Sequence, residues 1–299
     1  MKTVISVSLG SSTRNKVADR TFGGVPFHLE RIGTDGDARK AAELITAWDG
    51  KADAIGLGGM DRYLVAGNRR YEVVQAGKLA RCAKVTPVVD GGGIKRVLEP
   101  LMIRQVVEEG KLEVAGKRIL VLAGADRPGM AKVFPELGGK VVFGDLIFAV
   151  GVPIPLYSMR QVAILAALFL PILRRLPMSV LYPTGKSQET TKPKFPKFFR
   201  EAEVIAGDFV FVKRYMPPEM QGKVIVTNTT RAADLEELRK RGVARLITTT
   251  PEIGGESFGT NVLEGVLVAL SGKQPEALTE QDYLEFARQV DWRPGVTDL

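Results

Sequence analysis

Short β-branched runs alternate with helical patterns along this 299-residue chain, and most runs end in a turn carrying glycine, hydroxyl or acidic residues. That alternation constrains the fold more than any other feature. Repeated strand–helix units pack as parallel sheets with helices on both faces. The first half reads TVISVSL (strand), then KVADRTF and VPFHLERI as a hairpin about Gly23-Gly24, then DARKAAELITAW (helix) and DAIGLG (strand). LVAGNRRYEVV follows as a hairpin about Gly67-Asn68, then AGKLARCAKV (short helix), TPVVDG (strand) and IKRVLEPLMIRQVVEEG (helix). The pattern lapses in the polar, glycine-bearing GKLEVAGK and restarts at RILVLAG. After it come PGMAKVFPEL (helix), KVVFGD (strand), an apolar helix around Met159 to Leu173 and MSVLYPTG (strand). AEVIAGDFVFVKRY reads as one or two strands, and GKVIVTNTT and ARLITTTP as strands around the helix RAADLEELRKRG. GTNVLEGVLVALSG is a helix, and TEQDYLEFARQV a last one opened by the Thr279–Asp282 capping box. The expectation is α/β: two α/β domains, 1–114 and 115–299, with mainly parallel, Rossmann-like sheets and an interdomain cleft. The last helix is expected to pack back on the N-terminal domain.

Two scarce residues narrow the chemistry. One cysteine, Cys82, rules out an internal disulfide or a CxxC motif, and one histidine, His28, rules out HExxH hydrolases. Cys82 reads as a packing residue, His28 as a strand residue, and no metal is expected. Proton movement would therefore fall to Lys, Asp, Glu, Tyr or a cofactor. The most apolar stretch, Val162 to Leu173, contains Pro171 and is flanked by Arg160, Arg174 and Arg175. It falls short of the ~20 residues needed to span a bilayer. The flanking arginines could snorkel at a membrane surface, but the stretch reads first as a helix buried between layers or at a homodimer interface. The opening MKTVISVSLGSS reads as a first strand rather than a leader, and the location expected is cytoplasmic.

In open α/β sheets, ligands lie outside the carboxyl ends of the strands. Five turns qualify. Ser11 and Ser12, then Gly58, Gly59 and Asp61, then Gly91 and Gly92 after Asp90, are candidates for binding substrate. Gly124, Asp126, Arg127 and Gly129, with Gly254, Gly255 and Ser257, are candidates for binding a cofactor. Glycine lets backbone approach a ligand, and a helix N-terminus offers free N–H groups to an anion. Together they predict a small anionic or hydroxylated ligand. Residues 118–145 partly fit the dinucleotide template: strand, turn and helix are present, and Asp145 closes the next strand 21 residues after Gly124. A carboxylate there suits the ribose hydroxyls of NAD rather than NADP, although Asp126 stands where the second glycine belongs. Tyr182 to Ser187 resembles a P-loop tail, but Val180 replaces the required first glycine. The basic, phenylalanine-bearing TTKPKFPKFFR reads as an ordinary solvated loop or as a cleft-side lid for an anionic ligand, with nucleic acid not expected. Asp37 is expected to cap a helix, Gly207-Asp208 to form a turn, and Asn228 or Thr230 to cap a helix or touch a ligand.

The segments VISVSLGSS, ERIGTDGD, AIGLGGMDRYL, TPVVDGGGIK, GADRPGMA, VVFGDLIFAVGVPIPL and ITTTPEIGGESFGTNVLE together resemble a group of bacterial proteins labelled quinate 5-dehydrogenase. The resemblance runs from near residue 3 to near residue 272. It implies NAD(P)-dependent oxidation of a cyclic hydroxy acid such as quinate or shikimate. The well-understood enzymes of that activity use a GxGG loop and a Lys–Asp pair. Here the loop reads Gly124-Ala125-Asp126-Arg127, and no lysine motif matches. Strand-end position alone nominates Lys186 or Lys95 as proton carrier, with Asp145 or Asp90 as partner. The alternative is a non-catalytic nucleotide- or phosphometabolite-binding protein.

Overall fold

The structure, a computed structural model, describes residues 1–66, 69–177, 190–252 and 258–299. The first lobe is a five-stranded sheet in the order β2-β3-β1-β4-β7. Its strands are β1 (Lys2–Ser8), β2 (Lys16–Phe22), β3 (Val25–Gly33), β4 (Ala54–Gly58) and β7 (Val88–Val89). The pairings β3–β1, β1–β4 and β4–β7 are parallel, and β2 is the antiparallel edge. Alternation in β1 sends Ile5 and Val7 to one face and Val4, Ser6 and Ser8 to the other, as period-two geometry requires. The Ile5 face is covered by α1 (Ala38–Trp48), which Asp37 caps, and by α2 (Val74–Ala80). Between them in the chain lies a separate hairpin, β5 (Tyr63–Ala66) with β6 (Arg69–Glu72).

The second lobe is a six-stranded sheet in the order β13-β12-β11-β10-β8-β9. It comprises β8 (Arg118–Val121), β9 (Lys140–Phe143), β10 (Val204–Ala206), β11 (Val224–Thr227), β12 (Arg245–Thr248) and the antiparallel β13 (Gly295–Asp298). Its helices are α4 (Pro128–Glu136), α5 (Met159–Leu173), α6 (Pro196–Glu201), α7 (Phe209–Tyr215) and α8 (Ala232–Lys240). Among the described residues, no helix is long and apolar enough to cross a membrane.

Three elements tie the lobes together. Helix α3 (Gly92–Glu108) places Ile94, Val97, Leu98 and Met102 in the first lobe's core, and Ile103 and Val106 in the second's. The late helices α9 (Thr260–Ser271) and α10 (Glu280–Gln289) return to the first sheet, where Val262, Leu263, Val266, Tyr283 and Phe286 join Val4, Phe22 and Phe27. The chain then comes back through Trp292, whose indole donates to the Thr249 carbonyl at 2.9 Å, and ends as β13.

Several expectations need correction. AEVIAGDFVFVKRY is not two strands: β10 ends at Ala206, and Asp208 caps α7 by accepting the Val210 N–H at 2.9 Å. The apolar residues Phe209, Val212 and Tyr215 recur with the helical period and are buried, and that spacing outweighs the β-propensity of Phe-Val-Phe-Val. Helix α2 stops at Ala80, so Cys82 lies in the following turn, half-buried, its thiol directed at the Lys78 carbonyl. Helix α5 is not buried between layers: Val162, Ala166 and Leu170 pack inward, while Ile164, Leu168, Phe169 and Ile172 are exposed. The terminal strand β13 carried no sequence signal. The expected Gly67-Asn68 turn, the MSVLYPTG strand, Lys186, Gly254, Gly255 and Ser257 lie outside the described residues.

Candidate functional site

A cleft of about 720 Å³ opens between the lobes. The strands of the two parallel arrays point their carboxyl ends at it. From the first lobe come Ser8 at the end of β1, Gly58, Gly59 and Asp61 after β4, Asp90 after β7, and the Thr13–Lys16 stretch. From the second come Asp126 and Arg127 after β8, Asp208 after β10, Thr229 to Arg231 after β11 and Glu252 after β12. The first turn of α9 closes one wall with Gly259, Thr260 and Asn261. Asn261 is fixed from behind, since its amide donates to Ser6 Oγ at 2.7 Å.

Arg31 is the most telling group in this cleft. It sits near the end of β3, in register with Lys16 on β2 and Ser6 on β1. Its guanidinium donates to the Ser11 carbonyl at 3.1 Å and to Ser8 Oγ at 3.0 Å, both neutral acceptors. Burial lowers its pKa to about 10, and repulsion from Arg14 of the same lobe and Arg231 of the other adds to the shift, against a smaller opposing pull from Asp35. Three guanidiniums from two lobes thus converge on one space. A cation held by neutral groups beside like charges is poised for an anion.

Arg231 itself pairs with Asp234, its Nε donating at 3.2 Å, and the charges of the cleft floor are likewise matched to one another. Arg127, 1% exposed, bridges buried Glu99 and Asp208, the latter at 2.6 Å. Asp208 also accepts the Asn228 amide at 3.1 Å. Since β8 and β10 flank the point where strand order reverses, the Arg127–Asp208 pair spans the topological switch point itself. Beside it, Lys95 from α3 pairs with Asp61 at 2.5 Å. Asp126 lies 3.7 Å from Arg127 Nε, and burial pushes its pKa up to about 7 despite Lys95 and Arg127 nearby.

This shift sets a pH dependence. Folded Asp126 keeps its proton up to about pH 7, whereas the unfolded chain releases it near 3.8. Folding takes up a proton between those values, so this group's contribution to stability falls as pH rises through that window and stays low above it. Asp126→Asn is expected to gain at least about 1 kcal/mol more stability at pH 8 than at pH 5, relative to wild type. Urea melts at the two pH values measure this, and equal effects at both would refute it.

The glycine turns are largely occupied by the chain's own carboxylates. Asp35 accepts the Ser12 N–H at 2.8 Å. Glu264, from α9, accepts the N–H groups of Gly91 and Gly93 at 2.6 and 2.8 Å, plus the Tyr283 hydroxyl at 2.7 Å. It is buried where α3 begins, and burial, reinforced by Asp90, pushes its pKa up to about 7. Asp145 accepts the N–H groups of Gly124 and Ala125 at 3.0 and 2.8 Å. The carboxylate expected to face ribose thus ties down the loop expected to hold pyrophosphate. Gly129 serves packing, because a Cβ there would stand 2.5 Å from the Lys95 carbonyl on α3. Asp90 accepts from Arg62 and Gly92 backbone at 2.7 and 2.9 Å and shapes its own turn.

Of the residues nominated from sequence, the cleft gathers Gly58, Gly59, Asp61, Asp90, Lys95, Asp126 and Arg127. Ser11, Ser12, Gly91, Gly92, Gly124, Gly129 and Asp145 are not on its wall. The partner of Lys95 is Asp61, not Asp90 or Asp145. Sequence reasoning missed Arg14, Lys16, Arg31, Asp208 and Arg231. A signal existed for two of them, since Arg14 and Lys16 directly follow a hydroxyl-rich strand end. Arg31 left a signal as well, since it shares the period-two face of Phe27 and Leu29, where an apolar residue would be expected.

Comparison with known proteins gives families without functions. No curated protein matches the chain. Among solved structures, an ABC transporter solute-binding protein from Burkholderia multivorans is similar at a TM-score of 0.41 and 14% identity, over 99% of each chain. A galactofuranose-binding protein gives 0.37 and 10%, over 97% of this chain and 99% of that one. The NAD-dependent malic enzyme of Thermotoga maritima gives 0.36 and 13%, over 97% and 84%. Residues 3–90 match a domain of unknown function, DUF8753. Residues 93–299 match a second, DUF8754, and over that stretch the chain belongs to the DUF8754 family.

Proposed function

We infer that this protein binds one small, hydroxylated anion, such as a phosphorylated or carboxylated metabolite, in the cleft between its lobes. One observation carries the reading: the Arg31 guanidinium faces the cleft on neutral acceptors, crowded by Arg14 and by Arg231 from the opposite lobe. An anion placed among them would meet Arg31 and Arg14 from one lobe and Arg231, which also pairs with Asp234, from the other. Ser8, Thr13, Thr229, Thr230 and Asn228 line the same space and can meet ligand hydroxyls. Ordinary dinucleotide binding at residues 124–129 has less support, because Asp145 already takes the loop N–H groups and Arg127 is bound to Glu99 and Asp208.

A second reading keeps NAD(P)-dependent oxidation of a cyclic hydroxy acid. It is favoured by the Lys95–Asp61 pair on the cleft wall, which resembles in kind the Lys–Asp pair of quinate and shikimate dehydrogenases. Thermal shift separates the two readings, using sugar phosphates, quinate, shikimate, neutral sugars and NADH. Binding predicts that a hydroxylated anion raises the melting midpoint while neutral sugars do not. If every anion leaves the midpoint unmoved, the binding reading fails. Saturable NADH binding, with quinate or shikimate turnover lost in Lys95→Met, would establish the dehydrogenase instead.

A further inference from the structure

Helix α5 is apolar on two faces, and the inner one is used. Val162, Ala166 and Leu170 pack toward the protein and the β5–β6 hairpin. The outer one presents Ile164 at 58%, Leu168 at 64% and Ile172 at 62% exposure, with Phe169 beside them. The preceding stretch adds Val150, Val152, Ile154 and Tyr157, all exposed. Surface on this scale costs free energy in water unless something covers it.

The charge around it selects the cover. From residue 146 to residue 177 the chain carries three basic residues and no aspartate or glutamate. Arg160 precedes the exposed face and Arg175 follows it, both exposed. Lys194 lies against the earlier run, its ammonium 3.9 Å from where a Gly151 Cβ would stand. The hairpin packed on α5 adds Arg69 and Arg70, exposed as well. A second copy meeting this face about a twofold axis would set Arg160 of one chain toward Arg175 of the other, with no acidic residue in the segment to offset them. A surface apolar inside and negative at its rim fits both features. Arginine and lysine stems lie along apolar matter while their charged heads reach anionic groups.

We propose that α5 docks this protein in the plane of an anionic lipid surface, with Ile164, Leu168, Phe169 and Ile172 entering the acyl boundary and Arg160 and Arg175 meeting phosphate headgroups. The helix lies on the bilayer rather than crossing it. The interlobe cleft takes no part, so this proposal stands or falls apart from the ligand reading.

Co-sedimentation of the full chain with vesicles tests it, using phosphatidylcholine alone and an equal mixture of phosphatidylcholine with phosphatidylglycerol. Each basic residue at the surface is worth about fivefold in partitioning, so Arg160 and Arg175 together predict roughly 25-fold stronger binding to the anionic vesicles, weakened by salt. The double variant Leu168→Glu, Ile172→Glu removes apolar contacts from positions that support no core. It is expected to lose at least about tenfold in anionic-vesicle binding with its melting midpoint unchanged. Failure of wild type to bind anionic vesicles, or equal binding by the double variant, overturns the proposal. So does a wild-type dimer on gel filtration that the double variant converts to monomer, since a second copy would then be the occupant.

Discussion

Replacing Arg127 with methionine is expected to destabilise the protein by about 3–5 kcal/mol, the usual cost of removing one partner from a buried ion pair. The side chain sits between Glu99, fully buried, and Asp208, and few other groups reach either carboxylate. Glu99 Oε2 already has no hydrogen-bond partner, and burial outweighs the cation in raising the Glu99 pKa. Without Arg127, Glu99 must be buried as a bare charge or carry a proton at neutral pH, and either route costs stability. Asp208 suffers less, because it keeps the Asn228 amide and its cap on α7. The double variant Arg127→Met, Glu99→Leu should therefore recover at least half of the loss, as apolar pairs replace buried ion pairs with little penalty. Urea denaturation of the three proteins measures this. A double variant no more stable than the single one would show that Arg127 supports the fold through packing rather than charge.

Arg31→Met is expected to act in the opposite way, on binding and not on folding. The guanidinium donates two hydrogen bonds to neutral acceptors and is repelled by Arg14 and Arg231, so its loss removes little that folding needs. Its charge-assisted bonds to a bound anion would disappear, at about 1.5–3 kcal/mol, or roughly 10- to 150-fold in affinity. Calorimetric titration with whichever anion gives the largest thermal shift reads the effect. Arg31→Lys should restore only part of it, because an ammonium keeps the charge but not the planar fork. Affinity within twofold of wild type in Arg31→Met would move the anion site elsewhere in the cleft.

These two arginines differ in how far the sequence revealed them. Arg127 was conspicuous: it stands in a glycine turn after the clearest buried strand, and that pattern predicted a bound anion. The anions it meets belong to the chain itself, from α3 and from the turn after β10. Asp145 tells the same story. It lies where a ribose-binding carboxylate would, yet it reaches back to the Gly124 and Ala125 N–H groups. Spacing in sequence cannot separate a loop that waits for an external phosphate from one neutralised internally, because the neutralising group may be far along the chain. Glu264 makes the point at the greatest distance, 173 positions from the Gly91 N–H it accepts.

The sequence by itself determined the α/β class, both early hairpins and the caps at Asp37 and Thr279, since period-two and period-3.6 patterns and capping chemistry are local. It also excluded an internal disulfide, a CxxC motif and an HExxH motif, because composition does not depend on folding. Tertiary structure alone decided which strand ends face one another across the cleft, that Lys95 pairs with Asp61, and that α9 crosses back to the first lobe together with α10. It alone left the outer face of α5 uncovered. Each of these outcomes depends on contacts between distant segments, and the hydrophobic effect that drives them is non-directional. An apolar helix must bury some face, but its own residues do not say against what.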